Sequence, residues 1–277
     1  YVLRSILLAA VFVVAFVVMH DVGFTPQPVP ARRLPAEIVR NAEVGVAFGW
    51  GQRPLRLLML ASFTQVGFIM WAFYAAQPYL LDLLESDAVW VAGVVAAAIA
   101  LSTIAGNEIV DIASRRCGRR TTLLLVAAAV QTGAAVVLGL TSSFWVALAA
   151  LLLVTGGLGV TSPVRQAYLH QLVPSERRAT VVSFDSMVSG AGGVGSQVGL
   201  GALGEARSVG AAFVVGGLAT AAAIPLYAAV RALGGDADRI EGSKGGVDSS
   251  CPHGLPAVAT VEARAVDALQ PTVPVQG

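Results

Sequence analysis

Charge is scarce in this chain. Asp, Glu, Lys and Arg make up 13% of its 277 residues while apolar residues make up 56%, against roughly 25% and 45–50% in an ordinary soluble domain. Lysine is almost absent: Lys244 stands alone beside 17 arginines. That excludes a retinal Schiff base within a helix bundle, because this lysine lies in a polar C-terminal stretch. The Arg bias fits a bacterial chain and an inner membrane. Cys117 and Cys251 are too few and too far apart for a disulfide framework or a metal site, and no metal or cofactor is expected. A G-x-x-x-x-G-K-[ST] loop is also missing, so any use of ATP would require a separate nucleotide-binding subunit. The net charge of +1 is uninformative, and no nucleic-acid partner is expected. The chain opens on Tyr1, already inside an apolar run, without an initiator Met or a signal-peptide n-region. It is expected to be the rear part of a longer protein.

What the chain does have is a series of long apolar runs: Tyr1–Met19, Leu55–Leu81, Val89–Val110, Thr122–Leu140, Phe144–Tyr168, Thr180–Leu203 and Val209–Val230. At about 1.5 Å per residue each can cross a hydrocarbon core roughly 30 Å thick. Backbone groups in lipid need internal partners, and no run alternates with the two-residue period of a barrel strand, so seven membrane helices are predicted.

The links between the runs alternate in charge. Arginines cluster at Arg32, Arg33, Arg40 and Arg53, at Arg115, Arg116, Arg119 and Arg120, at Arg177 and Arg178, and again beyond Arg231. These links are cytoplasmic by the positive-inside rule. Those at Asp82–Ala88, Thr141–Ser143 and Gly204–Ser208 carry acids, no charge or a balanced pair, and face outward. The expected organisation has four parts. Residues 1–19 form the last helix of an N-terminal bundle, and 20–54 a central cytoplasmic loop containing a short surface helix over Ala36–Phe48. Residues 55–233 form a compact six-helix bundle, and 234–277 a disordered cytoplasmic tail rich in Gly, Pro and Ser.

Polar residues are shared unequally among the spans. The second carries Thr64, Gln65, Trp71, Tyr74 and Gln77; the third Ser102, Thr103, Asn107 and Glu108; the fifth Thr155, Thr161, Arg165 and Gln166; the sixth Ser183, Asp185, Ser186, Ser189 and Gln197. Such groups turn toward other helices or a wet cavity, as in a bundle lining one side of a pathway. Gln65, Trp71, Tyr74 and Gln77 are the candidate substrate contacts. Arg165 and Asp185 lie nine residues before and eleven after Pro174. Antiparallel helices joined at that turn place both roughly 14–17 Å from it, at one depth, where a lone charge is costly and pairing is favoured.

Two stretches carry a family resemblance. Gly106–Arg120, with Glu108, Asp111, Gly118, Arg119 and Arg120, is similar to the glycine and arginine loop that the major facilitator superfamily repeats in both halves. Where that loop usually has an acid three residues before its glycine, this chain has Arg115, leaving Asp111 one turn earlier to play the acid's part. Ser162–Asp185, with Arg165, Pro174 and Glu176, resembles the region joining the tenth and eleventh helices of drug-efflux-like bacterial members. The resemblance implies an all-α membrane fold and secondary transport by alternating access, with a missing N-terminal six-helix half as partner. It makes Arg165, Asp185, Glu108, Asp111, Arg119, Arg120 and Glu176 candidates for coupling or gating, the last three as an ion-pair latch. Proton-driven efflux of amphipathic small molecules is the first expectation, and uptake of a sugar or organic anion the alternative. A permease subunit powered by a separate ATPase is the reading from another class. An enzyme is not expected, since no nucleophile–base arrangement, paired carboxylates or His cluster recurs at membrane depth. Gly190–Gly195 satisfies G-x-G-x-x-G, but no strand precedes it and helix packing is its expected role, with Gly195 and Gly199 as a close-contact pair.

Overall fold

The computed structural model describes residues 2–18, 34–85 and 89–240. These are α-helical almost throughout: α1 (Val2–Val18), α2 (Leu34–Gly51), α3 (Arg53–Leu83), α4 (Val89–Arg116), α5 (Arg120–Leu140), α6 (Phe144–Leu172), α7 (Arg178–Ala206), α8 (Val209–Thr220) and α9 (Ala223–Leu233). No strand occurs among the described residues beyond one isolated antiparallel bridge between Arg119 and Arg239. Five segments are long and apolar enough to cross a membrane: Arg53–Leu83, Trp90–Ser114, Arg120–Leu140, Phe144–Leu172 and Val209–Leu233. Between the last two, α7 is equally long at 29 residues but interrupted by polar side chains. With α1, these elements follow the order of the seven expected spans.

The last span is broken. Pro225 has no N–H to donate, and its ring crowds the carbonyl four residues earlier. The helix duly opens into a turn at Ala221–Ala222 and resumes as α9. At the start of α8, Ser208 caps the helix by accepting the Ala211 N–H at 3.1 Å.

α3 packs along α7, α6 along α4 and α5, and α5 along α8, while α9 rests on α3 and α5. Three of these seams bring backbones together through glycine. A Cβ on Gly192 would lie 2.1 Å from the Phe63 carbonyl oxygen of α3, and one on Gly106 would lie 2.1 Å from that of Gly156 in α6. One on Gly139 would lie 2.4 Å from the Gly210 oxygen. Small residues are how helices gain van der Waals contact where lipid offers no hydrophobic drive. Gly195 and Gly199 do not form the expected close contact, because each faces open space; the approach is one turn earlier, where Gly192 meets α3.

Three apolar clusters fill the described part of the bundle, the smallest around Leu55, Met59 and Val181; the other two are larger. One surrounds Phe68, Trp71, Leu138, Val154 and Phe213, the other Leu58, Leu124, Tyr168, Tyr227 and Val230. Gln65 bridges from α3 to both α5 and α9: its amide nitrogen donates to Gln131 Oε1 at 3.1 Å, and its oxygen accepts the Tyr227 hydroxyl at 2.7 Å. Gln131 donates onward to the Val154 carbonyl of α6 at 3.3 Å. Every buried amide in this layer therefore has a partner.

The expected surface helix is longer, Leu34–Gly51, and lies against α7 and α3. Gly45 and Gly49 let it approach Phe184, Trp50 meets that ring edge-on at 6.4 Å, and the Arg177 guanidinium sits 5.4 Å from the Phe48 ring centre. By contrast, α1 is exposed along almost its whole length.

The expected disordered tail requires correction at its start. Residues after α9 fold back over the loop between α4 and α5, where Asp238, buried, accepts the Thr121 N–H at 2.8 Å and the Thr121 hydroxyl at 2.9 Å. Ile240 N–H bonds the Gly118 carbonyl at 3.2 Å. A helix N-terminus leaves N–H groups without partners, and a carboxylate there satisfies them and complements the helix dipole. Met19 of the expected first helix, residues 20–33 of the expected central loop and 241–277 of the tail lie outside the described residues.

Candidate functional site

A cavity of 280 Å³ opens between α3, α6 and α7. Val66 and Met70 line it from α3; Arg165, Gln166, Leu169 and His170 from α6; Val182, Asp185, Ser186, Ser189 and Gly190 from α7. The turn through Pro174 and Ser175–Arg177 reverses the chain, so α6 and α7 run antiparallel and bring Arg165 and Asp185 level. Arg165 Nη1 donates to Asp185 Oδ1 at 2.8 Å, with the side chains 12% and 7% exposed. Equal distance from the turn thus does place the two charges in contact. Their pairing is what makes either tolerable at this depth.

Asp185 and Ser189 lie one turn apart on α7 and face the same side. Ser189 donates to the Asp185 carbonyl at 2.9 Å and shares a 2.7 Å hydroxyl contact with Ser62 of α3. The floor of the cavity is therefore pinned to two helices. His170, one residue beyond Leu169 on the wall, has a buried Nδ1 without a hydrogen-bond partner, while its carbonyl accepts from Arg178 at 3.1 Å. A second, mostly apolar cavity of 390 Å³ lies between α3, α7 and α8, bordered by Phe63, Phe68, Gly195, Gly199 and Leu203.

The four candidate substrate contacts are not brought together. Gln65 is buried in the amide layer. Trp71 is 5% exposed, its ring 4.9 Å from Phe213 and 6.4 Å from Phe68, so its face is already occupied. Tyr74 is 71% exposed on the outside of α3, stacked edge-on to Phe73, and Gln77 is half-buried one turn further on. At 100° per residue these positions fan around the helix instead of converging. Glu108 and Asp111 are exposed on α4, and Arg119 is exposed before α5. Arg120 bonds the Gln171 side chain and the Ala237 carbonyl; the Glu176 side chain lies outside the described residues. Gln166 was among the polar residues of the fifth span, whereas His170 was passed over: five residues from Arg165, it lies about 140° away around an ideal helix, so no face periodicity joins the two. The described residues contain no cluster of His, Cys, Asp and Glu able to hold a metal.

The sequence model of the Major Facilitator Superfamily matches residues 2–196 and 57–259. The chain belongs to the major facilitator superfamily. As a major facilitator protein it is an integral, multi-pass membrane protein, in keeping with its apolar helices. No curated protein matches it significantly. Among solved structures it is similar to a peptide transporter, POT, crystallised in complex with sulfate, with a TM-score of 0.53 and 13% identity. The likeness covers 77% of this chain and 44% of that transporter. It therefore speaks to fold, and this major facilitator chain spans less than half the length of that neighbour.

Proposed function

We propose that the chain serves secondary active transport of a small molecule by alternating access, as the C-terminal bundle of a transporter. Residues 55–233 would rock against an N-terminal six-helix half of the same protein, to which the 1–19 helix belongs. The 20–54 segment would join the two on the cytoplasmic side of an inner membrane, and the C-terminus would lie on that side. The observation that carries this reading is the Arg165–Asp185 pair set into the wall of a cavity at membrane depth. Charges are costly there and mark solute or ion pathways. The exposed apolar faces of α4 and α7, with Leu101, Ile104, Met187, Val194 and Val198, support a further layer of helices or lipid against this bundle.

Proton-driven export of amphipathic compounds is the form proposed. The combination of apolar and charged lining supports the amphipathic substrate, and the likeness of Ser162–Asp185 to drug-efflux-like members supports the direction; Asp185, the acid among the lining residues, would release Arg165 and carry the proton. The test uses the full-length protein in proteoliposomes loaded with a fluorescent amphipathic dye. An imposed pH gradient should drive saturable dye movement, and Asp185→Asn should abolish that drive while leaving dye exchange at equal pH. Gradient-driven movement unchanged in Asp185→Asn would remove Asp185 from the coupling. Absence of saturable flux with every solute tried would overturn transport itself. Uptake of an organic anion is the second reading, favoured by Arg165 and His170 on one wall.

A further inference from the structure

The cavity between α3, α6 and α7 is rich in donors it does not use. Arg165 carries five N–H donors in a planar fork. Among the described residues its guanidinium makes one hydrogen bond, through Nη1 to a single oxygen of Asp185. A carboxylate that fully matched the fork would take two parallel bonds. On the same wall, His170 Nδ1 is the one buried side-chain nitrogen or oxygen without a partner among the described residues. Gln166 and Ser186 add further polar groups at the rim, while Asp185, the only acid lining the cavity, is already neutralised by Arg165. Val66 and Met70 line it from α3, and Leu169 of α6 and Val182 of α7 add apolar surface. The lining thus combines the edge of a guanidinium and polar side chains with the apolar surface of α3.

We infer that this cavity binds a small amphipathic carboxylic acid, its carboxylate held between the free edge of the Arg165 guanidinium and His170, its apolar body against Val66 and Met70. The inference rests on the transport reading only for the substrate's fate, and names the chemical class that reading leaves open. Asp185, at 2.8 Å from Nη1, orients the guanidinium and leaves its other N–H groups for a second carboxylate. A neutral amide of the same shape would meet the apolar wall but forfeit the charge-assisted bonds, and an ammonium would face the guanidinium.

Three probes separate these cases: benzoate, benzamide and benzylammonium, titrated by calorimetry into the purified full-length protein in detergent. Benzoate is expected to bind, with benzamide weaker by about tenfold or more and benzylammonium weaker still. His170→Phe should lower benzoate affinity by about tenfold and leave benzamide unchanged. Arg165→Gln alone would strand Asp185, so the paired change Arg165→Gln with Asp185→Asn is the second variant. It should abolish the preference for benzoate while keeping the melting temperature near wild type. Benzamide or benzylammonium binding as tightly as benzoate, or an undiminished benzoate preference in both variants, would overturn the inference. Binding in detergent needs no movement across a membrane. Benzoate bound by a protein that shows no saturable flux would thus uphold the subsite and overturn transport. Saturable flux without a benzoate preference would do the reverse.

Discussion

At the scale of single residues, the bundle is organised by polar side chains that find each other across long stretches of sequence. Removing the Tyr227 hydroxyl would leave Gln65 Oε1 without its 2.7 Å donor in a buried layer, at a cost of about 1–3 kcal/mol. Tyr227→Phe is therefore expected to lower the melting temperature, and Phe at this position with no change in melting would show that the amide layer is redundant. Arg165 and Asp185 should behave as a coupled pair, with single substitutions that are not additive and an interaction energy of about 0.5–3 kcal/mol in a double-mutant cycle. Simple additivity in thermal melting would show that each charge is stabilised separately. This pair was legible in the sequence because two antiparallel helices joined at a known turn leave depth as simple arithmetic. The role of Trp71 was not. Apolar and aromatic residues surround it on α3, so the sequence pattern does not distinguish the face toward lipid from the face toward Phe213, and only packing decides.

At the scale of helices, the glycines separate into those that hold a seam and those that do not. Gly192→Ala would drive a methyl group into the Phe63 carbonyl, whereas Gly195→Ala, three residues on, meets nothing within 4 Å. The first should destabilise by about 1–3 kcal/mol through overpacking and the second should leave melting unchanged; equal effects would mean that α3 and α7 do not pack through this seam. The spans themselves could be read from sequence because lipid imposes a minimum apolar length. The dock of residues 234–240 could not, since Thr121 and Asp238 are 117 positions apart and the segment's composition is that of a loose tail. Asp238→Ala should remove the cap from α5, at about 0.5–2 kcal/mol. It should also expose Cys117, half-buried against the same apolar cluster as Ala237 and Ile240. In a Cys251→Ser background, maleimide labelling of Cys117 is expected to accelerate in Asp238→Ala; an unchanged rate would show that the dock does not shield the loop.

At the scale of the whole molecule, the alternation of arginine-rich and arginine-poor links predicts sidedness independently of family. Single cysteines at Ser142 should react with an impermeant reagent from outside intact cells, and those at Ser114 and Ser175 should not; the opposite pattern would invert the molecule in the membrane. The docked segment has a consequence for how such a molecule is made. Chains emerge from the ribosome N-terminal end first, so α5 enters the membrane long before Asp238 exists. Its first turn must wait, with its N–H groups turned to water or headgroups, until α8 and α9 have been synthesised and residues 234–240 can fold back. The end of the bundle that carries the α4–α5 loop is therefore completed only after residues 234–240 have been made. Until then the α4–α5 loop, with Cys117 in it, lacks the cover that residues 237–240 give it.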